Sequence, residues 1–335
     1  MDSITQIVLG AAAGEAVLGK KVGNKAMLWG AIAGTVPDLD VLAKFFLDDV
    51  SMNEFHRGFS HSILFSIIFA PILGRLAFYL HRKLAVSWQD WSWLMFWALF
   101  THPLLDAHTA FGTQLFWPLP YKITYNNIFI VDPLYTIPFL VFLILAMTKS
   151  KDDPKRAYFN KIGIIVSCSY MVLTLGFKGI AHFQFKQVLS DQKAKLFQLE
   201  VKPTPLNALL WCGYVETNDS YLLGYYSLLA PRKPIEFFTF PKKHSLLGNW
   251  KEEMLIKRLV TLSRGWYNIE TDGNHIFFYD LRFGQIGFNS DPTSFVFKYE
   301  LYLENGILKA KQVQRSFDGI GNAFRALFHR ILYNE

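Results

Sequence analysis

Charge is scarce in this sequence. Only 18% of the 335 residues are Asp, Glu, Lys or Arg, against about 25% in soluble globular domains. Over half of the residues are hydrophobic, and the mean hydropathy is +0.19. Too little charge is available to cover every surface with water, so part of the chain is expected to be embedded in a membrane. Cysteine is scarcer still. Cys168 lies in an apolar run and Cys212 in the C-terminal half. No Cys-x-x-Cys and no Cys/His finger spacing occurs, which argues against a cysteine zinc site. A disulfide between the two would need Cys168 outside the bilayer and is not expected. Basic residues are also missing from the start, where Met1-Asp2-Ser3 is acidic. A cleavable signal peptide needs a basic lead, so the first apolar segment is expected to be retained. The net charge is +7, yet the cations sit in short loops between apolar segments. Nucleic-acid binding needs them gathered on one folded face, and no nucleic-acid partner is indicated.

What is present is a series of apolar segments. At about 150 residues per domain the length suggests two units. Residues 4–18 are rich in Gly and Ala, suited to close helix packing in a bilayer, and are interrupted by Glu15. Residues 26–36 end at Pro37, short of the ~20 residues of a full span unless the segment continues past the proline. Residues 62–80, 91–105, 128–148 and 162–180 are stronger candidates. The run Trp88, Trp91, Trp93 and Trp97 reads as an interfacial belt. Lys20, Lys21 and Lys25, then Arg82 and Lys83, then Lys149, Lys151, Lys155, Arg156 and Lys161 occupy alternate loops. The positive-inside rule puts those loops in the cytoplasm. The loops around residues 37–59 and 107–127 hold Asp38, Asp40, Asp48, Asp49, Glu54 and Asp106, and are expected on the extracytoplasmic side.

From about residue 182 the pattern changes to alternating Phe- and Tyr-rich stretches, among them 221–226 and 274–279. Residues 294–303 and 308–313 flank an Asn305-Gly306 pair, a hairpin signal, and a helix is expected over 320–332. The expected fold is therefore α+β. A polytopic bundle of about four to six transmembrane helices (1–181) carries the chemistry. A small β-rich extramembrane domain (182–335), on the same outward side, is expected to cover the site or select substrate.

Three polar clusters stand out at the outward helix ends: Pro37-Asp38-Leu39-Asp40, His56-Arg57-Gly58-Phe59-Ser60-His61-Ser62, and His102-Pro103-Leu104-Leu105-Asp106. The loop charges set the sidedness without reference to histidine, and the histidines then converge at one depth. His102 and Asp106 are i, i+4 and share a helix face. Imidazole and carboxylate together suit zinc first, with manganese or iron as alternatives. A bound divalent metal lowers the pKa of its water to about 7. His56, His61, His102, Asp106 and Asp38 are the candidate ligands, and Asp38 or Asp40 the candidate general base. The set fits two metals with a bridging carboxylate, or one metal with outer carboxylates orienting the imidazoles. Arg57 is the candidate clamp for an anionic group. Each feature has a plainer reading. A lone helix-end His is usually just polar; Asp132, before Pro133, reads as a helix cap; Glu15 reads as a packing residue; and His108 reads as an outer or bystander group. His81, His182, His244, His275 and His329 read as surface or core residues. Ionisable groups in membranes are costly and tend to be functional, which favours the clustered ones.

These motifs carry a resemblance. The Met1-Asp2-x-x-Thr5 start with Gly10, Pro37-Asp38-Leu39-Asp40, His56-Arg57-Gly58-x-Ser60-His61-Ser62, His102-x-x-x-Asp106, Phe111-Gly112-Thr113 and Trp117-Pro118 follow one another over about the first 120 residues. In order and spacing the chain resembles the predicted membrane-bound metal-dependent hydrolases, the YdjM-like inner-membrane proteins. Pro205-Leu206-Asn207 with Leu210-Trp211 resembles their longer members. The resemblance implies a bacterial inner-membrane, multi-pass hydrolase. Many members carry His where this chain has Gln6, a poorer ligand. The His-x-x-x-Asp element is also similar to zinc-dependent phospholipase C, which implies phosphoester or lipid substrates. The rival expectation is a transporter or ion-binding membrane protein without hydrolysis. The charged groups stand at helix ends rather than mid-membrane, which disfavours it. A third is an interaction scaffold worked by the β-rich domain. The sequence carries no signal for an oligomeric state.

Overall fold

A computed structural model describes residues 1–191, 198–285, 287–313 and 320–334. Two compact units emerge: Met1–Leu42 with Phe55–Gly176 and Pro205–Ala208, and Ala43–Glu54 with Phe177–Thr204 and Leu209–Glu335.

The first unit is helical. Helix α1 (Ser3–Val22) starts at Asp2, whose carboxylate accepts from the Thr5 N–H at 3.0 Å. It lies against α2 (Asn24–Thr35) at very short range. A Cβ added at Gly10 or Gly30 would collide with the backbone carbonyl of the facing glycine. Only glycine allows that approach, as in the small-residue interfaces of membrane helices. The helix does not stop at Pro37. It tightens into a 3-10 stretch, Val36–Phe45, making a continuous apolar segment Asn24–Phe45 of 22 residues. Pro37 has no N–H to bond back to the turn before it, so the Gly34 carbonyl three residues earlier is left to accept from another group. The segment read as too short to span continues past the proline.

Helix α3 (Asp49–Phe55) follows. Next comes α4 (Ile63–Leu80), capped by Ser62, and α5 (Trp88–Asp106), opened by a Ser87/Asp90 capping box. Trp91, Leu94, Met95, Ala98 and Leu99 of α5 form a buried core with Phe65, Ala70 and Ala77 of α4 and Trp29 and Ala33 of α2. Trp91 is thus a core residue, edge-on to Trp29 and stacked on His81. Trp93 and Trp97, by contrast, are exposed. Helix α6 (Pro133–Met147) is only 15 residues long, shorter than the expected span over 128–148. Asp132 caps it at the Leu134 N–H, 3.0 Å away, and Pro133 takes the first helical position, so no helix forms before it. Helix α7 (Pro154–Asp191) has 38 residues. At 1.5 Å per residue it is about 57 Å long, well beyond the ~30 Å hydrocarbon core. Among the described residues, three segments are long and apolar enough to cross a membrane: Asn24–Phe45, Ile63–Leu80 and Pro154–Ser190. Their outward faces carry bare apolar side chains such as Ile67, Ile72, Leu76 and Leu173. That is a surface for lipid rather than water.

Glu15 is buried in this unit. Arg156 donates to both its carboxylate oxygens, at 2.7 and 2.5 Å, and to the Asn24 Oδ1 at 2.7 Å. A charge inside an apolar bundle is tolerable only when paired and hydrogen-bonded in this way.

The second unit is β-rich, and with the helical first unit gives the α+β class. Strands β1 (Gln198–Pro203), β2 (Leu210–Glu216), β3 (Ser220–Ser227) and β4 (Phe237–Pro241) form one antiparallel sheet. Helix α8 (Met254–Leu262) leads to a second sheet of β5 (Tyr267–Asp272), β6 (His275–Gln285), β7 (Phe295–Glu304) and β8 (Ile307–Gln312). Glu304 pairs with Ile307 across a two-residue turn in which Asn305 and Gly306 have φ of 53° and 78°. This is the tight hairpin that the Asn-Gly pair signals. Helix α9 (Ile320–Tyr333) follows. The acidic residues 48–54 belong to this unit. Glu54 takes a forked pair from Arg258 of α8 at 2.9 and 2.7 Å, and Asp49 accepts from the Gln312 N–H at 2.7 Å. Neither cysteine forms a disulfide: Cys168 is exposed and Cys212 buried.

Candidate metal centre

Asp38, His61, His102 and Asp106 come together in the first unit, each offering one ligand atom, with all four atoms within 4.8 Å of one another. The 3-10 geometry after Pro37 supplies Asp38. A single short turn, Phe59–His61, supplies His61 just before the Ser62 cap of α4. The last turn of α5 supplies His102 and Asp106. The His61 and His102 Nε2 atoms are 3.1 Å apart. Asp38 Oδ1 is 3.3 Å from the first and 3.4 Å from the second. Asp106 Oδ2 is 3.5 and 3.7 Å from the same two atoms. In a tetrahedral zinc site with bonds of 2.0–2.1 Å, ligand atoms stand about 3.3 Å apart. The five separations bracket that edge length.

The outer contacts fix which atoms face inward. His102 Nδ1 donates to the Gly34 carbonyl at 2.6 Å, which requires its proton there and leaves the Nε2 lone pair free. Ser60 Oγ donates to Asp40 Oδ2 at 2.7 Å, so its own lone pair accepts from His61 Nδ1 at 2.9 Å. Both imidazoles are therefore held in the ligating tautomer by partners on the far nitrogen, the usual arrangement around metal-bound histidine. Asp106 Oδ1 accepts from Gln6 Nε2 at 3.0 Å and contacts the Met1 amino nitrogen. Its Oδ2 is buried and makes no well-aligned hydrogen bond, although the Arg57 guanidinium Nε stands 3.1 Å away as an ion-pair partner. That oxygen faces the two imidazole Nε2 atoms, where a cation can share it. Two nitrogens and two oxygens are a donor set that suits zinc, manganese or iron. The residues present thus fit a divalent ion.

Burial alone would lower the pKa of His61. Its hydrogen bonds to Asp106, Asp38 and Asp40 outweigh that and raise it to about 9. The same carboxylates that hold a proton on the ring attract a metal in its place. At His108 burial outweighs the Asn127 hydrogen bond, and the imidazole is pushed down.

The other candidates take different places. His56 is not among the four converging residues. Its Nδ1 lies 2.8 Å from Asp40 Oδ1, and the side chain is 24% exposed. Asp40 is surrounded: His56 engages Oδ1, while the Arg57 N–H (3.1 Å) and Ser60 reach Oδ2. Arg57 is buried and turned inward. Its Nε is 3.1 Å from Asp106 Oδ2, its Nη1 donates to Thr109 at 2.9 Å, and its guanidinium lies over the Phe111 ring. Lys122 reaches the His56 carbonyl at 3.1 Å and the other side of the neighbourhood at Phe111. Asp132 is the α6 cap and also accepts from Tyr170 at 2.8 Å. Sequence reading assigned no role to Ser60, Thr109 or the Gly34 carbonyl. Ser60 lay inside the quoted motif, but a backbone carbonyl leaves no mark in a sequence. Of the four converging side chains only Asp38 reaches solvent, at 28%.

A helical membrane unit built around a His/Asp cluster that could hold a metal, joined to a β-rich unit, is the class these features define. The chain belongs to the YdjM inner membrane protein family, whose sequence pattern matches residues 1–185. Neither a curated protein nor a solved structure matches it.

Proposed function

We propose that the protein is a metal-dependent hydrolase of the inner membrane that acts on phosphoester or lipid-linked substrates at the extracytoplasmic surface. The observation that supports this most is the five separations of 3.1 to 3.7 Å that link His61 Nε2 and His102 Nε2 to each other and to Asp38 Oδ1 and Asp106 Oδ2, close to the ligand spacing around one divalent ion. These four residues would hold a single divalent ion, zinc before manganese or iron. The bound ion would supply activated water at neutral pH and polarise a phosphoryl oxygen.

The protein's own groups divide the remaining work. Asp40 is saturated by its three partners and acts from outside, orienting His61 through Ser60. His56 is anchored by Asp40 through Nδ1 and partly exposed beside the four ligands. Arg57 positions Asp106 with one edge of its guanidinium, and Lys122 adds positive charge for an anionic substrate. Substrate enters past Asp38, the one ligand open to solvent. Next to it Leu39, Val41 and Leu42 are exposed and apolar, a setting that suits a substrate drawn from the bilayer. The alternation of basic loops supports the outward placement of the site and of residues 182–335.

The test pairs metal analysis with an activity screen. Purified protein is expected to carry about one divalent metal per chain and to hydrolyse a phosphoester or phospholipid panel in a chelator-sensitive way. Metal without chelator-sensitive hydrolysis on any panel member would remove the enzyme reading and leave an ion-binding membrane protein. Absence of metal would remove both.

A further inference from the structure

Helix α9 is wider in apolar surface than the sheet beneath it can cover. At about 100° per residue, Leu327, Ile331, Phe324, Phe328 and Leu332 follow one another around an arc of about 140°. Leu327 and Ile331, at one end of the arc, are buried in the core with Leu210, Tyr221, Tyr225 and Phe240. Phe324, Phe328 and Leu332, at the other end, are 39%, 61% and 52% exposed. Arg325 and His329 come next around the helix and are exposed. No carboxylate occurs between residues 320 and 333. Arg330 is on the opposite edge, over the Tyr225 and Phe288 rings. Ser227 Oγ donates to the Ile331 carbonyl, and Asn334 donates to the Tyr225 carbonyl at 3.2 Å. These contacts tie the end of α9 to the chain leaving β3, where Leu229, Arg232 and Lys233 are exposed as well.

We infer that the exposed face of α9 is an interfacial helix surface that seats on anionic phospholipid, with Phe324, Phe328 and Leu332 at the acyl boundary and Arg325, Arg232 and Lys233 among the headgroup phosphates. An apolar ridge of Phe and Leu bordered by cations, on a helix that carries no acidic residue over 320–333, is the pattern of helices that lie in a membrane interface; the exposed Glu236, near Arg330, is the one carboxylate beside it among the described residues. In water the same ridge is a liability. The family is an inner membrane family, so a bilayer is at hand without recruitment. Positive charge is attracted to an anionic leaflet, which argues for lipid over a neutral apolar partner. This inference does not depend on the metal centre.

The full-length protein in vesicles of phosphatidylcholine and phosphatidylglycerol tests it. In a Cys168→Ser background, leaving only the buried Cys212, Phe328→Cys and Asn322→Cys are spin-labelled in turn. Their collision rates with oxygen, which concentrates in lipid, and with a water-soluble nickel chelate are compared. The label at 328 is expected to favour oxygen and the label at 322 the nickel chelate. A label at 328 that favours the nickel chelate overturns the inference. One shielded from both reagents overturns it too, in favour of a protein partner. Vesicles of phosphatidylcholine alone should weaken the oxygen preference at 328; an undiminished preference there would remove the anionic headgroup from the proposal.

Discussion

The His61 and His102 rings meet Nε2 to Nε2 at 3.1 Å, with Asp38 Oδ1 between 3.3 and 3.4 Å from both. Two lone pairs aimed at each other over that distance repel unless they share a proton or a metal ion. Deleting either ring removes the shared partner. His61→Ala and His102→Ala protein are each expected to lose the bound divalent metal while keeping the parent's helical circular dichroism. Elemental analysis of the purified variants checks this, and parent-level metal in both would sink the centre.

Asp40 has a different part. It touches His61 through Ser60 and is already satisfied by His56 and the Arg57 N–H. Asp40→Asn should weaken metal affinity by about 10–100-fold, the usual effect of losing an outer partner. Competition against a chromogenic chelator measures it. Complete loss of metal would make Asp40 a ligand, and no change would leave it without a role.

The Glu15–Arg156 pair predicts a sign reversal. Arg156→Leu leaves Glu15 buried and unpaired, which costs about 3–5 kcal/mol. Glu15→Leu combined with Arg156→Leu removes both charges and should recover most of the loss. Thermal unfolding in detergent compares the two. A double variant no better than the single would show that Arg156 acts through Asn24 and the Lys149 carbonyl instead.

Cys212 makes the β-rich unit sensitive to alkali. Burial pushes its thiol up to about 12, whereas an unfolded cysteine ionises near about 8.5. Its contribution to folding is fully present below about 8.5 and is lost as the pH rises towards the folded value. Alkylation of native protein at pH 8 should therefore spare Cys212, and the reagent should reach it as the pH climbs through that window or after denaturation. Rapid labelling of Cys212 at pH 8 would contradict its burial.

The converging residues were legible because His and Asp are conspicuous at the ends of apolar helices. The split between Asp38 and Asp40 was not. It depends on a 3-10 turn that sends one carboxylate inward and the other towards Ser60, and both look alike in a run of Pro-Asp-Leu-Asp. Arg57 was read as a clamp for an anionic group, yet it sits at φ 61° and turns its guanidinium in to Asp106 and Thr109. Glu15 was recognised as a packing residue, but its partner lies 141 positions away, beyond any local pattern. The Asn305-Gly306 hairpin was fully readable, since two consecutive positive φ values leave few residue choices.

The atom that orients His102 belongs to no side chain. Because the Gly34 carbonyl is main chain, no codon change at position 34 can delete it. A genetic screen for lost metal would recover Asp38, His61, His102 and Asp106 directly. It would meet this contact through substitutions such as Gly10→Val, Gly30→Val or Gly34→Val, whose side chains press α1 away from α2 and carry the carbonyl out of reach.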